Sequence, residues 1–130
     1  TSREITRTSN RINQTWGGRF FRSRLSSYHY FMHAYKYIYR NPVEAGICSR
    51  VEEYKYSTLN GLLGGAHLTI PVTEDTLLFD NDFERNIHWL NSTPTSEDRE
   101  AVRKALQKKE FTLGRAPKNC KAHPLEDRLY

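Results

Sequence analysis

Residues 28–41, Tyr-His-Tyr-Phe-Met-His-Ala-Tyr-Lys-Tyr-Ile-Tyr-Arg-Asn, form the run with the strongest helical pattern in the chain. At about 100° per residue, Phe31, Ala34, Tyr35 and Ile38 fall on one apolar face, flanked by Tyr28, Met32 and Tyr39. His29, His33, Lys36 and Arg40 take the remaining polar arc. Tyr37 sits at the edge of that arc, in line with His29 and His33, and Asn41 lies one turn beyond it. The pattern predicts a mostly buried helix with one wet edge, capped by Ser26 or Ser27 and running to about Arg40. Asn41-Pro42 ends the regular pattern, because a residue before proline is pushed out of the α region. Alternatively, Pro42 opens another short turn that Gly46 closes.

The rest of the chain reads as short elements around this helix. Residues 2–14 suggest a helix, with Ile5 and Ile12 two turns apart and Arg3, Arg7 and Arg11 along another face. Gly17-Gly18 breaks it. Arg19–Leu25 is a candidate strand, with Phe20 and Arg22 on one side and Phe21 and Leu25 on the other. Core burial is the preferred expectation for both phenylalanines; stacking on single-stranded DNA is the alternative. Residues 49–63 carry a polar-aromatic stretch and a short helix closed by Gly64-Gly65. Thr73 starts a further short helix, and Asp82 caps one through Leu90. Thr95-Ser96-Glu97-Asp98 resembles a capping box for a helix to about Lys109, with Val102, Ala105 and Leu106 as its apolar side. From Gly114 onward the chain reads as a basic, proline-containing tail. The 130 residues fit one domain of ordinary size. Hydrophobic residues make up only 37% of the chain, so some segments are expected at the surface or packed against another body.

The net charge of +5 favours a polyanion partner weakly, and its distribution says more. Residues 1–24 hold Arg3, Arg7, Arg11, Arg19, Arg22 and Arg24 against the single acid Glu4. Residues 74–84 are acidic, and a second basic cluster runs from Arg103 to Lys121. Cys48 and Cys120 have no CxxC spacing and suggest neither a disulfide framework nor a zinc site. No apolar run approaches a membrane span and no signal-peptide pattern is present, so the expected compartment is the cytoplasm and no membrane partner is expected. The chain starts at Thr1 and its only methionine is Met32, which suits either removal of an initiator methionine before threonine or a truncated piece or proteolytic fragment.

A phenol titrates near pH 10, so Tyr37 is a nucleophile only if a neighbour favours the phenolate or takes its proton. Lys36, Arg40 and the two histidines are near enough in sequence to contribute. The competing reading is a core tyrosine with its hydroxyl satisfied at the surface, and spacing alone favours it. His29 and His33 have metal-ligand spacing on a helix but lack a third ligand, and a solvent-facing or phosphate-facing role is preferred for them.

The run Tyr37-Ile38-Tyr39-Arg40-Asn41-Pro42-Val43-Glu44-Ala45-Gly46-Ile47 shifts that balance. It resembles the Tyr-Ile-x-x-Asn-Pro-Val-x-Ala-Gly-Leu segment of REP-associated tyrosine transposases and related single-tyrosine HUH-type transposases. Glu53-Tyr54-Lys55-Tyr56-Ser57-Thr58 is similar to the family's Glu-x-Tyr-x-Trp-Ser-Ser run, with Tyr56 in place of tryptophan. The resemblance covers residues 1 to about 65. It implies a tyrosine that attacks a phosphodiester of single-stranded DNA and forms a 5′-phosphotyrosine bond. It also implies a divalent metal, Mg²⁺ or Mn²⁺, held by a His-hydrophobic-His motif and by a polar residue one turn after the tyrosine. On this sequence Tyr37 matches the nucleophile and Asn41 the extra metal ligand.

The sequence contains no His-x-His, so the metal site is incomplete and the chain alone is expected to be poor or inactive in cleavage. The implied fold class is α+β. It would be a predominantly helical fragment of a ferredoxin-like HUH transposase domain, with a helical C-terminal extension. Residues 1–65 would be the C-terminal half of the catalytic domain, 66–113 the helical extension and 114–130 a basic tail. The expected partner is single-stranded or hairpin DNA, contacted by Arg3, Arg7, Arg11, Arg22, His33, Lys36 and Arg40. Tail residues Lys118, Lys121 and Arg128 are further candidates for hairpin contact. Homodimerisation or co-folding with the missing half follows from the exposed sheet edges such a fragment would have. The alternatives are a non-catalytic DNA-binding module from a decayed or domesticated transposase, and a helical interaction protein whose Asn-Pro-Val segment is only a helix terminator.

Overall fold

The computed structural model describes residues 20–73, 75–79, 82–114 and 122–130. Its elements are helices α1 (Tyr28–Glu44), α2 (Thr58–Leu62), α3 (Thr76–Phe79), α4 (Phe83–Asn91) and α5 (Ser96–Leu106), with 3₁₀ turns at Val51–Glu53 and Pro124–Glu126. The described chain is therefore predominantly helical. The expected helix over 2–14, with Arg3, Arg7 and Arg11, lies outside the described residues. No helix among the described residues is long and apolar enough to cross a membrane.

The Ser27 hydroxyl caps α1 by accepting from the Tyr30 amide at 3.2 Å. The helix runs through Asn41-Pro42 to Glu44, one turn further than the pattern predicted. Pro42 lacks the amide that would bond the Ile38 carbonyl, and the helix continues across that one missing bond. Gly46 then takes φ 71° just past the end. Its amide reaches the Val43 carbonyl and the Ile47 amide the Pro42 carbonyl, which together form a Schellman closure. Gly46 thus closes α1 itself and not a separate turn.

Of the strand expected over Arg19–Leu25, Arg19 lies outside the described residues, and Phe20–Leu25 carries a single bridge in its place. Arg24 donates to the Lys109 carbonyl and accepts from the Phe111 amide, each at 2.9 Å. A strand needs a partner along its length, and among the described residues only this one point is paired. Phe20 and Phe21 are exposed rather than buried in a core.

Two apolar clusters flank α1. Val51, Leu59, Leu78, Ile87 and Leu90 form one, with Tyr35, Tyr39, Val43 and Trp89 packed against it. Val102, Ala105, Phe111, Leu125 and Tyr130 form the other, with Leu25, Tyr30 and Tyr37 against it. Each fully buried leucine contributes about 1.5–3 kcal/mol relative to exposure. α4 and α5 are held at their N-termini as the sequence predicts. Asp82 accepts from the Arg85 amide at 3.0 Å and Thr95 from the Asp98 amide at 3.1 Å. α5 ends at Leu106, before the expected Lys109. The end of the basic tail is not free, because Leu125 and Tyr130 are buried in the second cluster.

Candidate functional site

The candidate site is the middle of α1, where the expected orientation holds for Ala34 and the half-buried Tyr35 but is reversed for most other residues of the two faces. Its buried residues are His33, Ala34, Lys36 and Arg40, whereas Tyr28, Phe31 and Ile38 are exposed. The polar arc expected to be wet is the one the protein covers. α4, α5 and the C-terminal turn bring polar partners that the helix alone does not reveal.

Each polar side chain of the arc has a specific receptor. The Arg40 guanidinium donates to the Asn91 carbonyl at 2.7 Å and pairs with Glu44 at 2.7 Å. The Lys36 ammonium donates to Ser92 Oγ at 2.7 Å and lies 5.2 Å from the Trp89 ring centroid and 5.6 Å from that of Tyr130. Burial, then the neighbouring Arg40 charge, lowers the Lys36 pKa to about 8. His33 Nδ1 accepts from the Tyr130 amide at 3.1 Å, so the neutral ring carries its proton on Nε2 and donates to the Leu125 carbonyl at 2.9 Å. Burial lowers the His33 pKa, and the Leu125 bond opposes that shift.

These contacts correct the expectation that His33, Lys36 and Arg40 form a solvent-facing surface. Their charged or polar atoms are engaged inside the chain. Arg22 is exposed, as a contact to a partner would need. Arg128 pairs with Asp98 at 2.6 Å, while Lys118 and Lys121 lie outside the described residues.

The tyrosines of α1 differ in how their hydroxyls are held. Tyr30 donates to Glu126 at 2.8 Å, and this bond is the main reason its pKa is raised. Tyr35 donates to Asp75 at 2.6 Å, and burial with that bond raises its pKa strongly. Tyr39 shares a 2.8 Å bond with Thr58. Tyr37 is half-buried, its ring 6.5 Å from that of Tyr130, and its hydroxyl has no such tie among the described residues. Asn41, one turn later on the same helix, is exposed.

The metal expected from the resemblance finds an incomplete donor set here. Among the described residues no group of three or more His, Cys, Asp or Glu side chains gathers to hold one. His29 Nε2 and His33 Nε2 are 3.0 Å apart and converge on the Leu125 carbonyl. His33 Nδ1 is unprotonated and accepts a hydrogen bond from the Tyr130 amide, so metal binding through Nε2 would require an imidazolate or the loss of that bond. Asn41 offers a single amide oxygen.

Reading the sequence alone missed Trp89, Ser92, Leu125 and Tyr130 as the receptors of the polar arc. They lie far along the chain from α1, and no local spacing links them to it. No protein-family model, curated protein or solved structure matches this chain.

Proposed function

We propose that this chain is part of a single-tyrosine DNA transposase that binds single-stranded or hairpin DNA and cleaves and rejoins it through a phosphotyrosine bond at Tyr37. The observation that carries the reading is the contrast among the α1 tyrosines. Tyr30, Tyr35 and Tyr39 are tied by hydrogen bonds to Glu126, Asp75 and Thr58, whereas Tyr37 and the exposed Tyr28 are not tied among the described residues, and of these two only Tyr37 stands one turn before Asn41. A hydroxyl that must attack phosphorus cannot be committed to a carboxylate, because that bond opposes the phenolate. The Tyr37–Ile47 run lends further support, since it forms one continuous helix end with Tyr37 and Asn41 a turn apart.

In this reading the ferredoxin-like sheet and the His-x-His pair belong to a part of the catalytic domain that this sequence does not contain. The open apolar side of α1 (Tyr28, Phe31, Ile38) would rest on that sheet. The required Mg²⁺ or Mn²⁺ would take its histidine ligands from the same part, so no step is assigned to a metal here. Exposed Arg22, and Arg3, Arg7 and Arg11, would track phosphates.

The test supplies a His-x-His-bearing half of the domain in trans, with Mn²⁺ and a hairpin oligonucleotide. A denaturant-stable protein–DNA adduct is expected, and Tyr37→Phe should abolish it while leaving binding intact. Salt-dependent binding with no adduct under any metal would favour the non-catalytic DNA-binding module, for which the absent His-x-His argues. An adduct that survives Tyr37→Phe would sink the assignment of the nucleophile.

A further inference from the structure

Residues 122–130 lie against the polar side of α1, and His33 stands at the centre of that contact. The ring has no exposed surface, and both of its nitrogens are bonded to this one segment. Nε2 donates to the Leu125 carbonyl at 2.9 Å, and Nδ1 accepts from the Tyr130 amide at 3.1 Å. His29 Nε2 reaches the same carbonyl at 2.6 Å and lies 3.0 Å from His33 Nε2. A carbonyl oxygen has two lone pairs, so it takes both N–H groups while the rings are neutral. A second proton on His33 has only Nδ1 to go to. There it turns the acceptor of the Tyr130 amide into a donor facing a donor, and it places a charge on a buried ring.

We infer that His33 is a proton-sensitive latch: neutral, it holds residues 122–130 on α1, and on taking up a second proton it releases them. The titratable groups around it come from three elements. His29, Lys36 and Tyr37 share α1; Glu126, Arg128 and the Tyr130 phenol belong to the C-terminal segment; Asp98 on α5 meets that segment through Arg128 at 2.6 Å. Phe111, stacked on the His33 ring at 6.4 Å, brings no charge. Burial is the largest influence and lowers the His33 pKa, joined by His29 and Arg128 and opposed by the Leu125 bond and by Glu126. The closed segment therefore favours the neutral ring. Its hold is complete above the ordinary histidine value of about 6.5 and weakens about tenfold for each pH unit below it. The latch makes no use of Tyr37 as a nucleophile, so failure to form a DNA adduct leaves it standing.

Amide hydrogen exchange on the full chain between pH 7.5 and 5.5, corrected for the intrinsic pH dependence of exchange, tests it. Opening of residues 124–130 should increase about tenfold between pH 6.5 and 5.5, while the amides of α4 keep their protection. His33→Asn, which cannot titrate, should lose that increase, and His29→Asn should keep it. No increase in the parent, or the same increase in His33→Asn, overturns the latch. If His33→Asn is unfolded, or open at every pH, NMR titration of the parent decides instead. A common midpoint for the His33 ring and the Tyr130 amide supports the latch, and a Tyr130 amide that stays fixed while His33 titrates overturns it.

Discussion

The two long sides of α1 are solvated in opposite senses. On one side His33, Lys36 and Arg40 are 0%, 2% and 4% exposed. On the other, Tyr28 and Ile38 stand 66% and 61% open. The buried side is tolerable because partners arrive for it: two backbone carbonyls, a serine hydroxyl, two aromatic faces and Glu44. The open side has the reverse character, an aromatic-rich surface of the kind that marks a contact with another body. The difference teaches that polar side chains on this helix are buried where hydrogen-bond partners are supplied, and that hydrophobicity alone does not decide which residues are covered.

The most severe way to break this comparison is Arg40→Ala. It removes the donor to the Asn91 carbonyl and leaves Glu44 without its nearest cation. A loss of roughly 3 kcal/mol is expected in urea denaturation. A change below about 1 kcal/mol, within the range of surface pairs, would show that the buried polar side does not hold the fold.

Lys36→Met should act in the other direction, because an apolar side chain of similar volume replaces a buried cation that lacks a carboxylate. A gain of about 1–2 kcal/mol at neutral pH is expected. The Lys36 pKa is depressed to about 8, so its protonated form is the one that folding disfavours. Relief is complete above the ordinary lysine value and is lost as pH falls through about 8. Stability should therefore rise with pH between about 8 and 10 in the parent and not in Lys36→Met. The groups around Lys36 change little in that window. Burial holds the His33 pKa below its ordinary value and pushes the Tyr130 phenol up to about 12, so neither changes charge across it. Parallel pH–stability curves for the two proteins would contradict this account.

The smallest effect belongs to the open side. Ile38→Ser should change stability by no more than about 0.5 kcal/mol, because the side chain is already in water. A larger loss, measured by thermal unfolding at several protein concentrations, would mean that the face is covered in solution. A matching increase in mass by size exclusion would identify a homodimer as the cover.

Much of the local structure was legible from residue order. Ser27, Asp82 and Thr95 stand where N-caps were expected, and Gly46 and Gly64 hold the positive φ values that end α1 and α2. Capping involves only a few neighbouring residues, so spacing is enough to find it. The Arg19–Leu25 strand was not legible, since alternation shows that a segment suits a sheet but not whether a neighbouring strand exists. The halt expected at Asn41-Pro42 was misplaced for a related reason. Proline costs one hydrogen bond, and whether that cost ends a helix depends on which side the orphaned carbonyl faces.

Sequence alone settled that residues 28–40 are helical, that Asn41 lies one helical turn beyond Tyr37, and that no His-x-His is available within the chain. Tertiary structure decided which side of that helix is inside. The reason lies in sequence distance: the Leu125 carbonyl, Ser92, the Trp89 ring and the Tyr130 ring and amide reach α1 only after the chain has folded back on it. Hydrophobic periodicity assumes that the apolar face wins the interior, and along α1 it is overruled where His33 and Arg40 find hydrogen-bond partners inside the chain. Lys36 is buried beside a serine hydroxyl, with no carboxylate paired to it among the described residues.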